Sequence, residues 1–210
     1  MSKRIAIKVT ADCYPSAMNT IKTLTFFIAV ASIVSCKKNT TPQPSIPIPN
    51  GDFESWTSAA SLNGPLLQGW LTNSCPACVP PFETYIVQKD SLNAYHGKYA
   101  AKFVDNTVYP AQAQNKFAVP YHPSTLSAYI KPIIYGGDTV SIKIRLFENK
   151  AQVDSGLWLG ISSFGSYGQL VIYITHNSMQ ADSAQITIRG GHKSSGGNTT
   201  VFWVDDLSLQ

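Results

Sequence analysis

Charge is scarce in this chain and no stretch concentrates it: Asp, Glu, Lys and Arg make up 13% of its 210 residues. The formal net charge of +4 is mostly a property of one end, because Lys3, Arg4, Lys8 and Lys22 against Asp12 supply three of it before residue 36. The remainder, about one positive charge, excludes the concentrated basic face that nucleic-acid binding requires. Helical periodicity is missing from residue 50 onward, which excludes a bundle or a repeat of helices. Cysteine is limited to four residues, and Cys75-Pro-Ala-Cys78 has no second pair with which to complete a zinc site. Catalytic constellations are absent as well. His96, His122, His176 and His192 each sit beside turn residues, where a surface histidine is the ordinary expectation. Glu83, Asp105, Glu148 and Asp154 carry no motif that separates a glycosidase acid–base pair from solvated loop charges, so the expectation is a protein that is not an enzyme.

What is present begins with a targeting segment. Leu24 to Val34 is an apolar run preceded by Lys22, too short to span a bilayer, which needs about 20 residues. Ile33-Val34-Ser35-Cys36 resembles a bacterial lipobox, in which a small residue precedes the cysteine that is acylated. The expected location is therefore the cell envelope, anchored to the outer membrane through lipid on Cys36. Met18-Asn-Thr-Ile-Lys22 makes a better n-region than residues 1–17, which points to Met18 as the start of translation. Prolines 42, 44, 47 and 49 follow and hold the chain extended as a semi-rigid spacer. The chain thus divides into a signal peptide (1–35), a lipidated cysteine with a Pro-rich linker (36–49) and one domain (50–210).

Within that domain the hydrophobic period is two. Leu126, Ala128 and Ile130 alternate with Ser127, Tyr129 and Lys131, and Val140, Ile142, Ile144 and Leu146 alternate with Ser141, Lys143, Arg145 and Phe147. The pattern returns at Leu170 to Ile174 and at Ala184 to Ile188. Breaks fall at turn chemistry such as Gly136-Gly137-Asp138 and Glu148-Asn149-Lys150. Many short strands with regular turns predict an all-β antiparallel sandwich, of the jelly-roll kind. Its last strand, Val201 to Leu209, carries the adjacent pair Asp205 and Asp206 inside an apolar run. Desolvation and mutual repulsion require a proton, a cation or several hydrogen-bond donors there. The acidic stretch Asn50-Gly-Asp-Phe-Glu54 at the other end of the domain is the expected partner.

Asn50-Gly-Asp-Phe-Glu54, Gly69-Trp70, Tyr95-His-Gly-Lys-Tyr-Ala100, Leu126-Ser-Ala-Tyr-Ile-Lys131 and Val204-Asp-Asp-Leu-Ser-Leu209 resemble, in the same order, the motifs of galactose-binding-like jelly-roll domains. The chain is similar to the carbohydrate-binding modules of that superfamily and to related lipoproteins of Bacteroidetes-type bacteria. The resemblance implies a structural calcium bridging Glu54, Asp206 and Asp205 with backbone oxygens around Gly97 and Lys98, at an edge away from Tyr129 and Arg145. Oxygen-only ligation suits that ion.

Cys75 and Cys78 lie in a Pro-rich loop of an exported chain, and a local disulfide is the expected state. Sugars are held by aromatic faces and by side chains that hydrogen-bond hydroxyls. The strand faces opposite the apolar sets offer Tyr129, Lys143, Arg145, Tyr173, Gln185 and Arg189 for this, with Trp158, Tyr109 and Tyr167 as further platforms. Trp56, Trp70 and Trp203 are assigned to the core. The expected function is non-catalytic binding of a poly- or oligosaccharide near the outer membrane. The alternative is a structural or adhesive envelope protein that uses the sandwich for contacts with protein partners.

The anchor is directly testable. An acyl chain contributes about 0.8 kcal/mol per buried methylene and the polar spacer nothing comparable, so Cys36→Ser is expected to move the protein from the membrane to the soluble fraction. An unchanged membrane fraction would refute the lipobox reading.

Overall fold

The computed structural model describes residues 44–58, 65–74, 86–105, 110–178, 180–191 and 199–210. The signal segment with Met18 and Cys36, the Cys75–Cys78 pair, Glu83, Tyr109 and His192 lie outside them. The described residues form strands and turns without a helix. Twelve strands occur in chain order: β1 (Trp56–Thr57), β2 (Leu66–Leu67), β3 (Leu71–Thr72), β4 (Val87–Asp90), β5 (Ala100–Val104), β6 (Gln112–Ala118), β7 (Thr125–Ile133), β8 (Val140–Glu148), β9 (Ala151–Gly160), β10 (Gly168–Tyr173), β11 (Ser183–Gly190) and β12 (Val201–Leu209). Ten of them make two five-stranded sheets, in the orders β10-β7-β12-β5-β4 and β3-β6-β11-β8-β9, while β1 and β2 pair alone. Every pairing is antiparallel. This is the predicted jelly-roll β-sandwich.

The period-two pattern explains the layers. Side chains alternate across a strand, so Leu126, Ala128 and Ile130 of β7 and Ile142, Ile144 and Leu146 of β8 all turn inward and are buried. Phe103 and Phe202, cross-strand partners on β5 and β12, stack with ring centroids 4.7 Å apart. Pro132 interrupts the inward set of β7 without a penalty in hydrogen bonds. Its carbonyl accepts the Phe164 amide, and the ladder with β10 ends at Ile130, so the absent N–H faces a stretch with no ladder to supply.

The two sheets touch along one side. Gly156 of β9 approaches β10 so closely that a Cβ there would stand 2.8 Å from the Ile172 side chain and from the Tyr173 carbonyl. On the other side, among the described residues, Ser74 Oγ, just after β3, accepts the Val87 amide of β4 at 2.9 Å, and Asp105, just after β5, accepts the Ala111 amide that leads into β6.

The domain's beginning meets its end, with two corrections: Ile46 and Ile48, assigned to the spacer, are buried in the core, so the domain starts before residue 50, and the Asp205 carboxylate is held by the Tyr95 and His96 amides and not by the Asn50–Glu54 stretch. Ile46 N donates to Leu209 O at 2.8 Å, and Leu207 N donates to Gly51 O at 2.9 Å. Asn50 builds the entry turn: it adopts φ 49°, its amide donates to the carbonyls of Ser55 and Gln68, and it accepts the Ser55 amide. Phe53 is then fully buried against Trp70.

Candidate functional site

The interruption of β12 is a β-bulge. Asp205 pairs with Tyr129 and Ser208 with Ser127, which leaves one extra residue on β12, and Asp206 takes φ 51° to accommodate it. Asp205 is buried, and its Oδ2 accepts the amides of Tyr95 and His96 at 2.7 and 3.1 Å while Oδ1 accepts that of Asp206. Burial pushes its carboxyl up, and the three amides oppose the rise. Glu54 holds the far end of the same turn, its Oε1 accepting the amides of Lys98 and Tyr99 at 2.7 and 3.0 Å. Gly97 between them sits at φ 65°, and a Cβ there would fall 2.1 Å from Glu54 Oε1, so only glycine lets this carboxylate close on the turn. Asp206 Oδ2 lies 3.0 Å from His96 Nδ1.

Entry turn, central turn and last strand are therefore joined by carboxylates and backbone amides. The chemistry also suits a hard cation. Glu54 and Asp206 both bear on the Tyr95–Tyr99 turn, the donors are all oxygen, and the desolvated Asp205 gains from a positive charge nearby. Among the described residues no group of three or more His, Cys, Asp or Glu side chains gathers, so backbone carbonyls would have to complete such a site. One expectation is corrected. The clamp does not lie away from Tyr129: Asp205 is the cross-strand partner of Tyr129.

The residues singled out for sugar binding separate. Register places Gln185 opposite Arg145, Thr187 opposite Lys143 and Arg189 opposite Ser141. Lys143, Arg145, Gln185 and Arg189 thus share the outer face of the β3-β6-β11-β8-β9 sheet. Tyr129 and Tyr173 belong to the outer face of the other sheet. There Tyr95 stacks on Tyr129 at 3.7 Å, Tyr167 donates to the Asn93 carbonyl, and Lys131 donates to Asn93 Oδ1. The Asn93–Tyr99 turn thereby covers much of that face, and Tyr167 acts as its fastening. Tyr173 remains 79% exposed at the edge. Trp158 is a correction: its partner is the buried Ile142, and it packs against the core instead of facing a sugar. Trp203 is a second one. It is buried, but on the outer side of its sheet, with Lys131 and Lys102 over its ring and its indole N–H donating to Asp90 at 2.7 Å.

His122 departs from the expected surface position. It is buried, its Nε2 lies 2.8 Å from Asp154 Oδ2, and its ring lies 4.3 Å from that of His176. Burial pushes the Asp154 carboxyl up. The amides of Asn177 and Ser178, His122 and the Thr175 hydroxyl outweigh that and hold it well below the usual carboxylate range. Nothing local in the sequence announces this pair, whose members are 32 positions apart. Glu148 Oε2 accepts the Ser178 hydroxyl at 3.5 Å.

Asp105 is the remaining carboxylate of interest. It is buried, its Oδ1 accepts the Ala111 amide, and among the described residues its Oδ2 has no hydrogen-bond partner. Burial raises its carboxyl to about 7, Asp138 adds to the rise, and the Ala111 amide and the charge of Arg189 oppose it. Both Asp105 and Asp138 are 4% exposed, which leaves no approach for a glycosidic bond.

No family model matches the chain, and no curated protein matches it. Solved structures do. It resembles carbohydrate-binding modules of promiscuous specificity from the β-sandwich superfamily at 13% identity and TM-score 0.50, over 69% of this chain and 58% of that one. A Bacteroides thetaiotaomicron protein provisionally assigned to the glycoside hydrolases gives 8% and 0.52, over 76% and 70%. The module TmCBM61, solved with beta-1,4-galactotriose, gives 12% and 0.47, over 77% and 91%. At these identities the likeness defines the fold: a jelly-roll β-sandwich of the kind found in carbohydrate-binding modules.

The Asp105 geometry has a pH signature. The folded chain keeps a proton that the unfolded chain releases near pH 4, so this group's stabilising contribution is complete below about pH 4 and is lost as pH rises through about 7. Asparagine mimics the protonated acid. The melting temperature of Asp105→Asn relative to wild type is expected to rise by several degrees between about pH 4 and pH 8. A constant difference across that range would exclude a proton held at Asp105.

Proposed function

We propose that the domain is a non-catalytic carbohydrate-binding module of a lipid-anchored envelope protein, with the outer face of the β3-β6-β11-β8-β9 sheet as its ligand face. The observation that carries this reading is the convergence of Lys143, Arg145, Gln185 and Arg189 on that face, while the Asn93–Tyr99 turn lies over the other. Long polar side chains on a sheet supply hydrogen bonds to hydroxyls, and the sheet fixes their spacing. The jelly-roll likeness to carbohydrate-binding modules is in keeping with it.

A glycan array tests the proposal. Wild type is expected to bind a defined set of glycans, Lys143→Ala combined with Gln185→Ala to lose that binding, and Tyr173→Ala, on the opposite face, to keep it. Absence of binding to any glycan would favour the alternative, a scaffold for protein contacts. Loss with Tyr173→Ala alone would move the site to the other sheet.

Calcium at the clamp belongs to the same proposal, with Glu54, Asp206 and Asp205 as its candidate carboxylates; since no three such side chains gather among the described residues, backbone carbonyls would have to complete its shell. Bound there, the ion supplies positive charge against which the desolvated carboxylates are held. Such a site exists only in the folded chain, so calcium at a hundredfold excess over its dissociation constant adds about 2.7 kcal/mol of stability. Chelator is then expected to lower the melting temperature by several degrees, and Glu54→Gln, which keeps an acceptor for the Lys98 and Tyr99 amides, to remove that sensitivity. Superimposable melting curves with and without chelator would assign the clamp to amide donors alone.

A further inference from the structure

We infer that the ligand of this face is an acidic polysaccharide, a uronate-type chain with carboxylates along it, an inference that rests on the proposed glycan-binding reading. From residue 50 onward the sequence holds ten Lys and Arg against eleven Asp and Glu, so a cation-rich face has to arise by segregation. Four of those ten cations meet on one sheet face. In register, Lys116 lies opposite Gln185 and Gln185 opposite Arg145; Thr187 lies opposite Lys143; Arg189 lies one row further along. No Asp or Glu occupies the described rows of this face. The nearest acids sit at its ends and are engaged there. Asp182 accepts the Asn149 amide and the Ser183 hydroxyl, and Asp105 with Asp138 is buried. The domain's acids are gathered elsewhere, at Glu54, Asp205 and Asp206 on the clamp, at Asp90 under Trp203, and at Asp154 beside His122.

A second observation points to the same place. Among the described residues, Arg145 Nε and Thr187 Oγ1 are buried polar atoms without a hydrogen-bond partner. Both lie in the middle of this face on adjoining strands. A buried donor or hydroxyl left unpaired is costly, and a charged group more so. Two such atoms on adjoining strands, in a face whose described rows offer amide and hydroxyl oxygens but no carboxylate for the guanidinium, mark a place where a ligand's carboxylate, reached by a shift of the surrounding long side chains, would complete the set. Arginine's fork suits a planar carboxylate.

The remainder of the face selects a glycan over another polyanion. Gln112, Gln114 and Gln185 interleave with the cations, giving amides for hydroxyls between the positions that take charge. The row Leu71, Gln114, Thr187, Lys143, Leu157 runs across all five strands, and its end leucines are 73% and 53% exposed. Strands lie ~4.8 Å apart, so the row spans roughly 19 Å, with apolar contact for sugar C–H surfaces at both ends. Stacking platforms for nucleobases are missing: the one aromatic of these rows, Phe147, lies under Lys116.

Isothermal titration of the domain with polygalacturonate and with the same polymer after carboxyl reduction tests the inference, with duplex DNA as a second polyanion. Wild type is expected to bind polygalacturonate at least tenfold more tightly than the reduced polymer or DNA, and to weaken as salt rises. Arg145→Gln is expected to lose at least tenfold, and Lys143→Gln, whose side chain is freer of packing, to lose severalfold with an unchanged melting temperature. Equal affinity for the charged and reduced polymers, or no effect of either variant, overturns the acidic ligand and leaves a neutral-glycan module standing. Equal affinity for DNA also overturns it, in favour of an unselective polyanion surface. Failure to bind any glycan, in this titration and on the array, overturns both readings.

Discussion

The desolvated carboxylate of Asp205 is the constraint on which the arrangement of this domain depends. A carboxylate taken out of water must recover several hydrogen bonds, and here they come from amides of a turn more than a hundred positions away in sequence. The amides point correctly only if the Tyr95–Tyr99 turn has closed, which requires Gly97 and the counter-hold of Glu54. The bulge that aims Asp205 requires Asp206 in the left-handed region. Each part is unfavourable alone. Together they join segments whose meeting carries a large loop-closure cost, so the domain orders as a unit around this clamp.

The sequence disclosed this clamp because its chemistry is conspicuous: two adjacent acids in an apolar strand have few ways of being satisfied. Alternation disclosed which residues of β7, β8 and β11 point inward, since a period of two assigns every side chain to one side of its own sheet. It is silent on which outer side is shared. Tyr129 and Arg145 both alternate against apolar neighbours and look equivalent in one dimension, yet they face away from each other across the sandwich. That distinction is made by strand order, which rests on pairings between distant segments. Trp158 misled for a similar reason. It sits among exposed-looking neighbours in Ser155-Gly-Leu-Trp-Leu-Gly160, and only its pairing with Ile142 shows that the leucines face outward and the tryptophan inward.

The outer faces have met different fates. One is roofed by the domain's own chain, through Tyr95 on Tyr129 and Tyr167 on Asn93. The other keeps its cations and amides uncovered. Near-neutral overall charge from residue 50 onward leaves room for this difference: several acids accept backbone amides at turns, and four of the ten bases share the open sheet without an acid among its described rows. The separation follows from hydrogen-bonding chemistry: carboxylates only accept, and turns present unpaired N–H groups.

Gly156 gives the sandwich a spine. Where β9 leans on β10 the sheets are fastened backbone to side chain with no room for a methyl group. At the opposite margin, among the described residues, the two-residue β3 is tied to β4 through the Ser74 hydroxyl. A body bound on one side and stitched on the other flexes like a book. Of these two holds, the hydroxyl at Ser74 costs less to part than the close packing at Gly156, so adjustment of the open face to a ligand is easier on the side of Leu71 than on that of β9.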